Sequence, residues 1–292
     1  MTCNFVESEI PFYHFTDDAL SCKIVPAFGG SIQELVVKEK AIIKGVSIDK
    51  EGFEKYKEFC NSAILFPFPN RVAQGSYTFG DKHFHLDRND SKYGNAIHGF
   101  AFTQCPEVIS QSDTSLVLRF THTESPGYTF PYILELEYSI SPNGLKLQFK
   151  VSNTGKDLMP FGLGWHPYFV TDDQEKFSLH FEADKKYLTN ANMIPDHSNP
   201  VNDSKFNPSN MEVDNAYRLT NSQILLRSHD RELKLIVPEQ SYLQLYNPID
   251  KRSFAVEPMS CVPDAFNNKI GLKTLSPGSV FKWNIQLEFG IS

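Results

Sequence analysis

Short stretches of alternating apolar and polar residues recur along the chain, and turn residues separate them. Residues 132–140 (YILELEYSI) alternate almost strictly, and residues 145–151 (LKLQFKV) do the same after the turn residues 141–144. A period of two places one face of an extended segment in a core and leaves the other face in water. The two segments are therefore predicted to form an antiparallel hairpin.

Comparable strand signals are spread over the whole chain, whereas helical signals are sparse. A second hairpin is predicted where residues 80–82 join 77–79 to 83–86, and the best helical segment is 52–60. The other predicted strands are 22–26, 31–37, 116–120, 178–181, 223–226, 232–237 and 281–289. Residues 190–210, rich in Asn, Pro, Asp and Ser, are predicted to form a long loop. This pattern predicts an all-β fold, a large antiparallel β-sandwich with few short helices.

Composition supports a folded chain with a large core. Of its 292 residues, 40% are hydrophobic and 22% charged, and the 24 Phe and 12 Tyr favour half-buried pleated surfaces. The sequence contains no linker rich in Gly, Ser or Pro, no internal repeat and no low-complexity tract. We therefore expect a single domain spanning residues 1–292.

Charge and cysteine usage narrow the choice of partners and compartment. The net charge is −7 and Lys/Arg runs are absent, which argues against binding nucleic acid. The five cysteines are scattered and form no Cys-x-x-Cys pair, which argues against a disulfide framework or a zinc knuckle. No run approaches the ~20 apolar residues that cross a bilayer, and the N-terminus lacks signal-peptide features. A cytoplasmic protein that does not associate with membranes is expected.

Four segments carry the imidazole, carboxylate and hydrogen-bonding groups that general acid–base catalysis requires. They are residues 66–71 (FPFPNR), 95–100 (NAIHGF), 161–169 (FGLGWHPYF) and 254–259 (FAVEPM). Alternate prolines exclude the first segment from a central strand, so it is predicted to be an extended loop or sheet edge presenting Arg71. Three of the segments also have a purely structural interpretation: a surface arginine in 66–71, a core histidine in 95–100 and a charge at a strand end in 254–259.

The third and fourth segments allow a more specific prediction. If residues 161–169 are extended, Gly164, His166 and Tyr168 share one face, and Trp165 points away from them into the core. In the fourth segment an apolar strand is predicted to end at Glu257, which the following proline holds in an extended conformation. Asp214 is a weaker candidate, because an Asp-Asn pair is also typical of a turn.

These segments, in this order, resemble the aldose 1-epimerase (galactose mutarotase-like) family, and its compact bacterial branch in particular. The motifs are residues 69–71 (PNR) followed by 75–79 (GSYTF), then 95–100, 161–169 and the Val-Glu-Pro run at Glu257; the opening residues 24–30 (IVPAFGG) also match. The resemblance spans nearly the whole chain. It implies a β-supersandwich with an open sugar-binding groove, and neither an organic cofactor nor a catalytic metal.

The resemblance also implies roles for six residues. Glu257 would be the general base and His166 the general acid, starting as carboxylate and imidazolium. The residues that would bind the small-molecule sugar are Arg71, His98, Asp214 and Asn70. The implied function is interconversion of the α and β anomers of a free aldohexose such as galactose or glucose, by a monomer or homodimer.

Three alternatives stay open at the level of sequence. An epimerase for hexose 6-phosphates would need further cations to converge with Arg71 on the phosphate; the candidates are Arg88, Lys92, Arg218 and Arg252. A non-catalytic carbohydrate-binding protein would not need an acid–base pair. A glycosidase would use Glu257 and Asp214 as paired carboxylates.

Overall fold

The computed structural model describes residues 1–171, 177–201, 205–206, 213–229, 231–247 and 252–291, and strands dominate these ranges. The strands of the first half are β1 (Thr2–Val6), β2 (Phe12–Thr16), β3 (Leu20–Val25), β4 (Ser31–Val37), β5 (Lys40–Lys44), β6 (Ala63–Leu65), β7 (Arg71–Val72), β8 (Ser76–Phe79), β9 (Lys82–His85), β10 (Ala96–Ile97), β11 (Glu107–Ser112), β12 (Ser115–His122), β13 (Tyr132–Ser141) and β14 (Gly144–Asn153).

The second half of the described chain continues the same pattern. Its strands are β15 (Met159–Phe161), β16 (Gly164–His166), β17 (Tyr168–Val170), β18 (Ser178–Thr189), β19 (Pro195–Pro200), β20 (Lys205–Phe206), β21 (Asp214–Arg227), β22 (Arg231–Ile236), β23 (Tyr242–Tyr246), β24 (Ser253–Met259), β25 (Lys273–Leu275) and β26 (Val280–Ile291). The described α-helices are α1 (Lys50–Phe59) and α2 (Ala265–Asn268), with single 3₁₀ turns at Pro26–Phe28, Ala73–Gly75 and Ala101–Thr103. None of the described helices has the length and apolar character to cross a membrane.

Antiparallel pairing links most strands into one continuous sheet that curls almost into a ring. The path runs β1–β2–β3–β4–β5–β17–β24–β23–β21–β22–β26–β14–β13–β12–β11. At its two ends side chains replace the backbone ladder: Gln111 Nε2 donates to the Cys3 carbonyl at 3.0 Å, and the Cys3 amide donates to Asp113 at 3.4 Å. These bonds help to protect the edges of β1 and β11 from unwanted strand pairing.

The interior of this curled sheet is filled by alternate side chains of the strands. On β13 the odd-even burial is strict, and its neighbours β12 and β14 show the same alternation. Large aromatic side chains such as Trp165, Phe161, Tyr132 and Tyr138 are fully buried. The Tyr138 hydroxyl, which would be costly to bury alone, donates to the Gly30 carbonyl. The prediction of an antiparallel all-β fold with few short helices is confirmed.

Two local predictions need correction. The helix begins two residues earlier than predicted, because Asp49 caps its N-terminus by accepting a hydrogen bond from the Gly52 amide at 2.7 Å. The prediction of a loop over residues 190–210 is wrong for residues 195–200, which form β19, and for residues 205–206, which form β20; both strands pair with β18. The polar composition of residues 195–200 reflects a largely exposed strand. Residues 202–204 and 207–210 lie outside the described ranges.

Candidate functional site

The candidate site is built on a row of side chains that crosses adjacent strands of the sheet. β16 and β17 pair with β24 in one register, Gly164 opposite Met259 and Tyr168 opposite Ala255. That register places His166 opposite Glu257. On the other side of β24, Gln244 of β23 is paired with Glu257. Side chains of directly opposed residues lie on the same face of a sheet, so the three share one face. We call the group of side chains gathered on this face the pocket.

The register of the backbone hydrogen bonds explains why the imidazole and the carboxyl face each other so closely. Backbone bonds join β24 to the segment around His166 at two places, from Ser260 N to Leu163 O at 2.8 Å and from Val256 N to Pro167 O at 3.2 Å. The His166–Glu257 pair falls between hydrogen-bonded pairs, where opposed Cα atoms are closest in an antiparallel ladder. Pro167 and Pro258 each lack an amide donor, so fewer backbone hydrogen bonds form on both sides of this pair.

The side-chain geometry matches this backbone arrangement. His166 Nε2 lies 3.4 Å from Glu257 Oε1, and the two residues are 5% and 2% exposed. Trp165 points to the opposite face, where its indole Nε1 donates to Ser62 Oγ at 2.9 Å. The prediction that His166 and Tyr168 share a face and that Trp165 is a core residue is confirmed. The prediction that Glu257 ends its strand is wrong, because β24 continues to Met259.

Asp214 joins the same row from the next strand. β21 pairs with β23 so that Ala216 is opposite Gln244, and Asp214 is two residues from Ala216 on the same face. The Gln244 side-chain amide donates to Asp214 Oδ1 at 2.5 Å. Asp214 therefore belongs to a strand and not to a turn, and the register of three strands carries it to the pocket.

Asn70, Arg71 and His98 reach the pocket from two loops that are held together. β7 and β10 pair with Arg71 opposite Ile97, and the His98 amide donates to the Asn70 carbonyl at 3.0 Å. Asn70 and His98 both have positive φ, 56° and 67°, and Gly99 follows at 70°. A Cβ at Gly99 would lie 2.2 Å from the Phe66 carbonyl oxygen, so glycine is required there. The His98 ring meets the His166 ring edge-to-face, with centroids 5.2 Å apart.

The Arg71 guanidinium is clamped by residues of the loop between β9 and β10. Arg71 Nε donates to Asp90 Oδ2 at 2.8 Å, and the guanidinium carbon lies 5.3 Å from the centre of the Tyr93 ring. Asn70 Oδ1 accepts from the Arg71 backbone amide at 2.9 Å. Fixing the guanidinium before a ligand arrives reduces the entropy lost on binding. The structure thus brings together all six residues that the resemblance assigned to the site.

Three further residues at the site were not predicted from the sequence: Asp90, Tyr93 and Gln244. Tyr168 was predicted on the His166 face, but not as a ring contact of His166. Gln244 carried a usable signal, because it is a polar residue in the centre of the apolar segment Tyr242–Tyr246 and is buried. Asp90 and Tyr93 lie among ordinary turn residues. Their contact with Arg71 becomes apparent only once the pairing of β7 with β10 is known.

Burial controls the charge state of the acid–base pair. Desolvation raises the pKa of Glu257 well above its ordinary value; the Asp214 carboxylate adds to this and the Arg71 guanidinium opposes it. Desolvation lowers the pKa of His166 to about 4. Both shifts favour the uncharged pair, with a proton on the carboxyl and none on the imidazole. The expected carboxylate–imidazolium form contains the same proton, moved from Glu257 to His166.

Burial also shifts the pKa values of the neighbouring titratable groups. Burial lowers the pKa of His98 well below its ordinary value, and the nearby His166 and Arg71 lower it further. Burial also raises the pKa of Asp214, while Arg71 and the hydrogen bond from Gln244 oppose that rise. His98 is thus a neutral hydrogen-bonding group. Perturbed groups clustered in one pocket are typical of functional sites.

Several buried polar atoms of the pocket have no hydrogen-bond partner among the described residues. They are Glu257 Oε2, His166 Nδ1, His98 Nδ1 and Gln244 Oε1. Buried polar atoms in folded proteins are normally paired, so a group of them on adjacent elements suits a ligand that carries many hydroxyl groups. Nowhere in the described ranges do three or more His, Cys, Asp or Glu side chains cluster as a potential metal site.

Comparison with known proteins agrees with this geometry. The aldose 1-epimerase family model matches residues 11–288. The uncharacterized protein YihR of Escherichia coli is 26% identical over 229 residues, which cover 74% of each chain. Among solved structures, a galactose mutarotase-like protein from Clostridium acetobutylicum superposes with a TM-score of 0.87 at 20% identity, covering 100% of this chain and 98% of that one.

Another solved structure, the galactose 1-epimerase of Lactobacillus acidophilus, superposes with a TM-score of 0.82 at 19% identity, and 100% of this chain and 99% of that chain are covered. At these identities the structural likenesses show the fold, and the family match extends over nearly the whole sequence. The chain therefore belongs to the aldose 1-epimerase family, isomerases that act on carbohydrates, and has the galactose mutarotase-like fold.

Proposed function

We propose that this protein is a mutarotase that interconverts the α and β anomers of a free aldohexose. The observation that carries the proposal is the opposed pair of His166 and Glu257, 3.4 Å apart and both buried. Such a pair can take a proton from one oxygen of a bound sugar and give a proton to another, so the net charge of the pair does not change. Galactose and glucose are the first substrates to test.

The mechanism uses the pair as base and acid in turn. A shift of the shared proton from Glu257 to His166 produces the carboxylate and the imidazolium. Glu257 then takes the proton of the anomeric hydroxyl while His166 protonates the ring oxygen, so the C1–O5 bond breaks and an aldehyde forms. After rotation about C1–C2, His166 removes the proton from O5, which attacks the other face of C1, and Glu257 returns its proton to O1.

The remaining pocket residues hold the sugar while C1 rotates. Arg71, clamped by Asp90, donates to hydroxyl oxygens. Asp214 and Gln244 form a fixed acceptor–donor pair next to Glu257, and His98 offers a neutral ring edge. A sugar hydroxyl that donates to Glu257 Oε2 stabilises the carboxylate, and so favours the proton shift on which catalysis depends. Positioned acid–base groups contribute on the order of 10²–10⁴-fold each.

The pH dependence follows from the two pKa shifts. On the acid side a second proton enters the pair at His166, whose lowered pKa is about 4, and the base is then lost. On the alkaline side the proton leaves Glu257, whose pKa is raised well above the ordinary carboxyl range, and the acid is lost. We expect the pH profile of kcat/KM to be bell-shaped, with an acid limb near pH 4. Undiminished kcat/KM at pH 3 would contradict this assignment.

A second prediction concerns the clamp on Arg71. We expect Asp90→Ala to raise KM by roughly ten- to a hundredfold, because the hydrogen bond that fixes the charged guanidinium is worth about 1.5–3 kcal/mol, while kcat changes little. Asp81→Ala, in the exposed turn between β8 and β9, is the matched control. Steady-state kinetics of the two variants separate the effects. A fall in kcat at constant KM would show that Arg71 does not act in substrate binding.

Polarimetry of freshly dissolved sugars tests the proposed function directly. Enzyme added to α-glucose or α-galactose should speed the approach to the equilibrium rotation well beyond the rate in buffer. Hexose 6-phosphates and aryl glycosides, measured in parallel, test the alternatives. Release of the aryl group would identify a glycosidase, and tight binding of a sugar without faster mutarotation would identify a carbohydrate-binding protein.

The charges around the pocket favour a neutral sugar over a phosphorylated one. The Arg71 guanidinium is already paired with Asp90, and Arg218 is paired with Asp184. Of the four other candidate cations, Lys92 approaches Arg71: its ammonium lies 4.9 Å from the centre of the Tyr93 ring that also stacks on the guanidinium. Phosphate recognition normally uses several unpaired cations. A higher kcat/KM for glucose 6-phosphate than for glucose would overturn this preference.

A further inference from the structure

We propose that Tyr168 is a positioning residue for proton transfer, its ring face orienting the imidazole of His166 and stabilising the imidazolium form. The proposal rests on the proposed role of His166 as the acid. It assigns a purpose to the tyrosine that follows the His-Pro pair in the segment 161–169.

The geometry is that of a stacked pair held by the sheet. The rings of His166 and Tyr168 have centroids 5.0 Å apart and planes inclined by 22°. Tyr168 opens β17 opposite Ala255, and its neighbour Phe169 is opposite Phe254. The Tyr246 ring meets Tyr168 at 84°, with centroids 6.5 Å apart. With its backbone in the ladder and a second ring against its side chain, the phenol ring is a fixed platform.

An electron-rich platform matters because the acid must become a cation in a buried site. Burial removes the water that would solvate an imidazolium, and this loss disfavours the charged form. The face of an aromatic ring carries negative potential and attracts a cation placed over it, most strongly where water is excluded. Tyr168 thus offsets part of the desolvation at the moment when His166 holds the proton.

The other ionisable groups around His166 come from separate elements and stay in place when Tyr168 is changed. Glu257 of β24 lies 3.4 Å from His166 Nε2. Arg71 of β7 opposes a positive charge on His98, after β10, whose ring meets that of His166 edge-to-face. Cys60, between α1 and β6, and Asp214 of β21 act on the carboxyl of Glu257 or on Tyr168. Because these groups are unchanged, a different ring at position 168 shows how the His166–Tyr168 stack affects the proton affinity of His166.

The test measures the proton affinity of His166 in a series of rings at position 168. Wild type, Tyr168→Phe and Tyr168→Leu are prepared with isotope-labelled histidine, and His166 is assigned by its loss in His166→Gln. We expect Tyr168→Phe to titrate like wild type. In Tyr168→Leu the proton affinity of His166 should fall by roughly three- to tenfold, the acid limb of kcat/KM should move to lower pH, and kcat should fall.

A shape-matched variant keeps the test decisive if leucine disturbs folding. Tetrafluorophenylalanine in place of Tyr168 keeps the aromatic shape but weakens the negative potential of the face, so it should lower the proton affinity of His166 as leucine does. An unchanged titration across this series would overturn the role of Tyr168 even if the enzyme is active. Absence of anomer exchange in wild type would instead overturn the proposed function, and with it any catalytic role for the stack.

Discussion

Replacing Glu257 by glutamine should lower kcat for anomer interconversion by about 10²–10⁴-fold, with little change in KM. The amide has nearly the shape of the carboxyl group, so the pocket should keep its geometry. Because burial raises the pKa of Glu257 and so favours its uncharged form, an uncharged amide at this position should not unfold the protein. What it removes is the ability to take the proton from the anomeric hydroxyl.

Glu107→Gln is the matched control for this variant, since Glu107 lies on the exposed strand β11. It should retain wild-type kcat. Circular dichroism and thermal unfolding of both variants establish that the fold is retained. If Glu257→Gln kept kcat within twofold of wild type, another group would have to be the base, and the proposed mechanism would be wrong.

Replacing His166 by glutamine should have an effect of similar size, because the ring oxygen then has no proton donor as the C1–O5 bond breaks. The two groups share one proton, so they should behave as a unit. We therefore expect the double variant, with Glu257→Gln and His166→Gln, to be only slightly slower than either single variant. The kinetics of the four proteins form a double-mutant cycle that measures this coupling.

His85→Gln, on the exposed hairpin strand β9, controls for the general effect of removing an imidazole. It should leave kcat unchanged. If the effects of the two catalytic substitutions instead multiplied in the double variant, the groups would act in independent steps. The shared-proton description would then fail even if both residues were needed.

The long hairpins of the fold could be predicted from sequence because their two faces differ in environment. β12, β13 and β14 alternate between core and solvent, and the predicted segments fall within them. The short strands β6, β16 and β17 were not predicted as separate strands. They are buried on both faces over most of their length, so no polar–apolar alternation marks them. Their pairing positions the site, and it depends on contacts distant in sequence.

The candidate site shows the same division. Glu257, His166 and His98 stand out in sequence because each is an ionisable residue in an otherwise apolar segment that also contains proline or glycine. Asp90 does not stand out, because its function as the partner of Arg71 arises from the fold of a polar turn. The proton arrangement of the His166–Glu257 pair also depends on burial, which residue types alone do not specify.

Magnetisation transfer between the α and β anomeric signals of a free aldose is the most direct test of the central claim, since it detects ring opening and closure at equilibrium. We expect rapid transfer with wild-type protein on at least one aldohexose, and transfer no faster than in buffer with Glu257→Gln. Transfer that is equally fast in the variant, or that is absent with wild type on every free aldohexose, would contradict it.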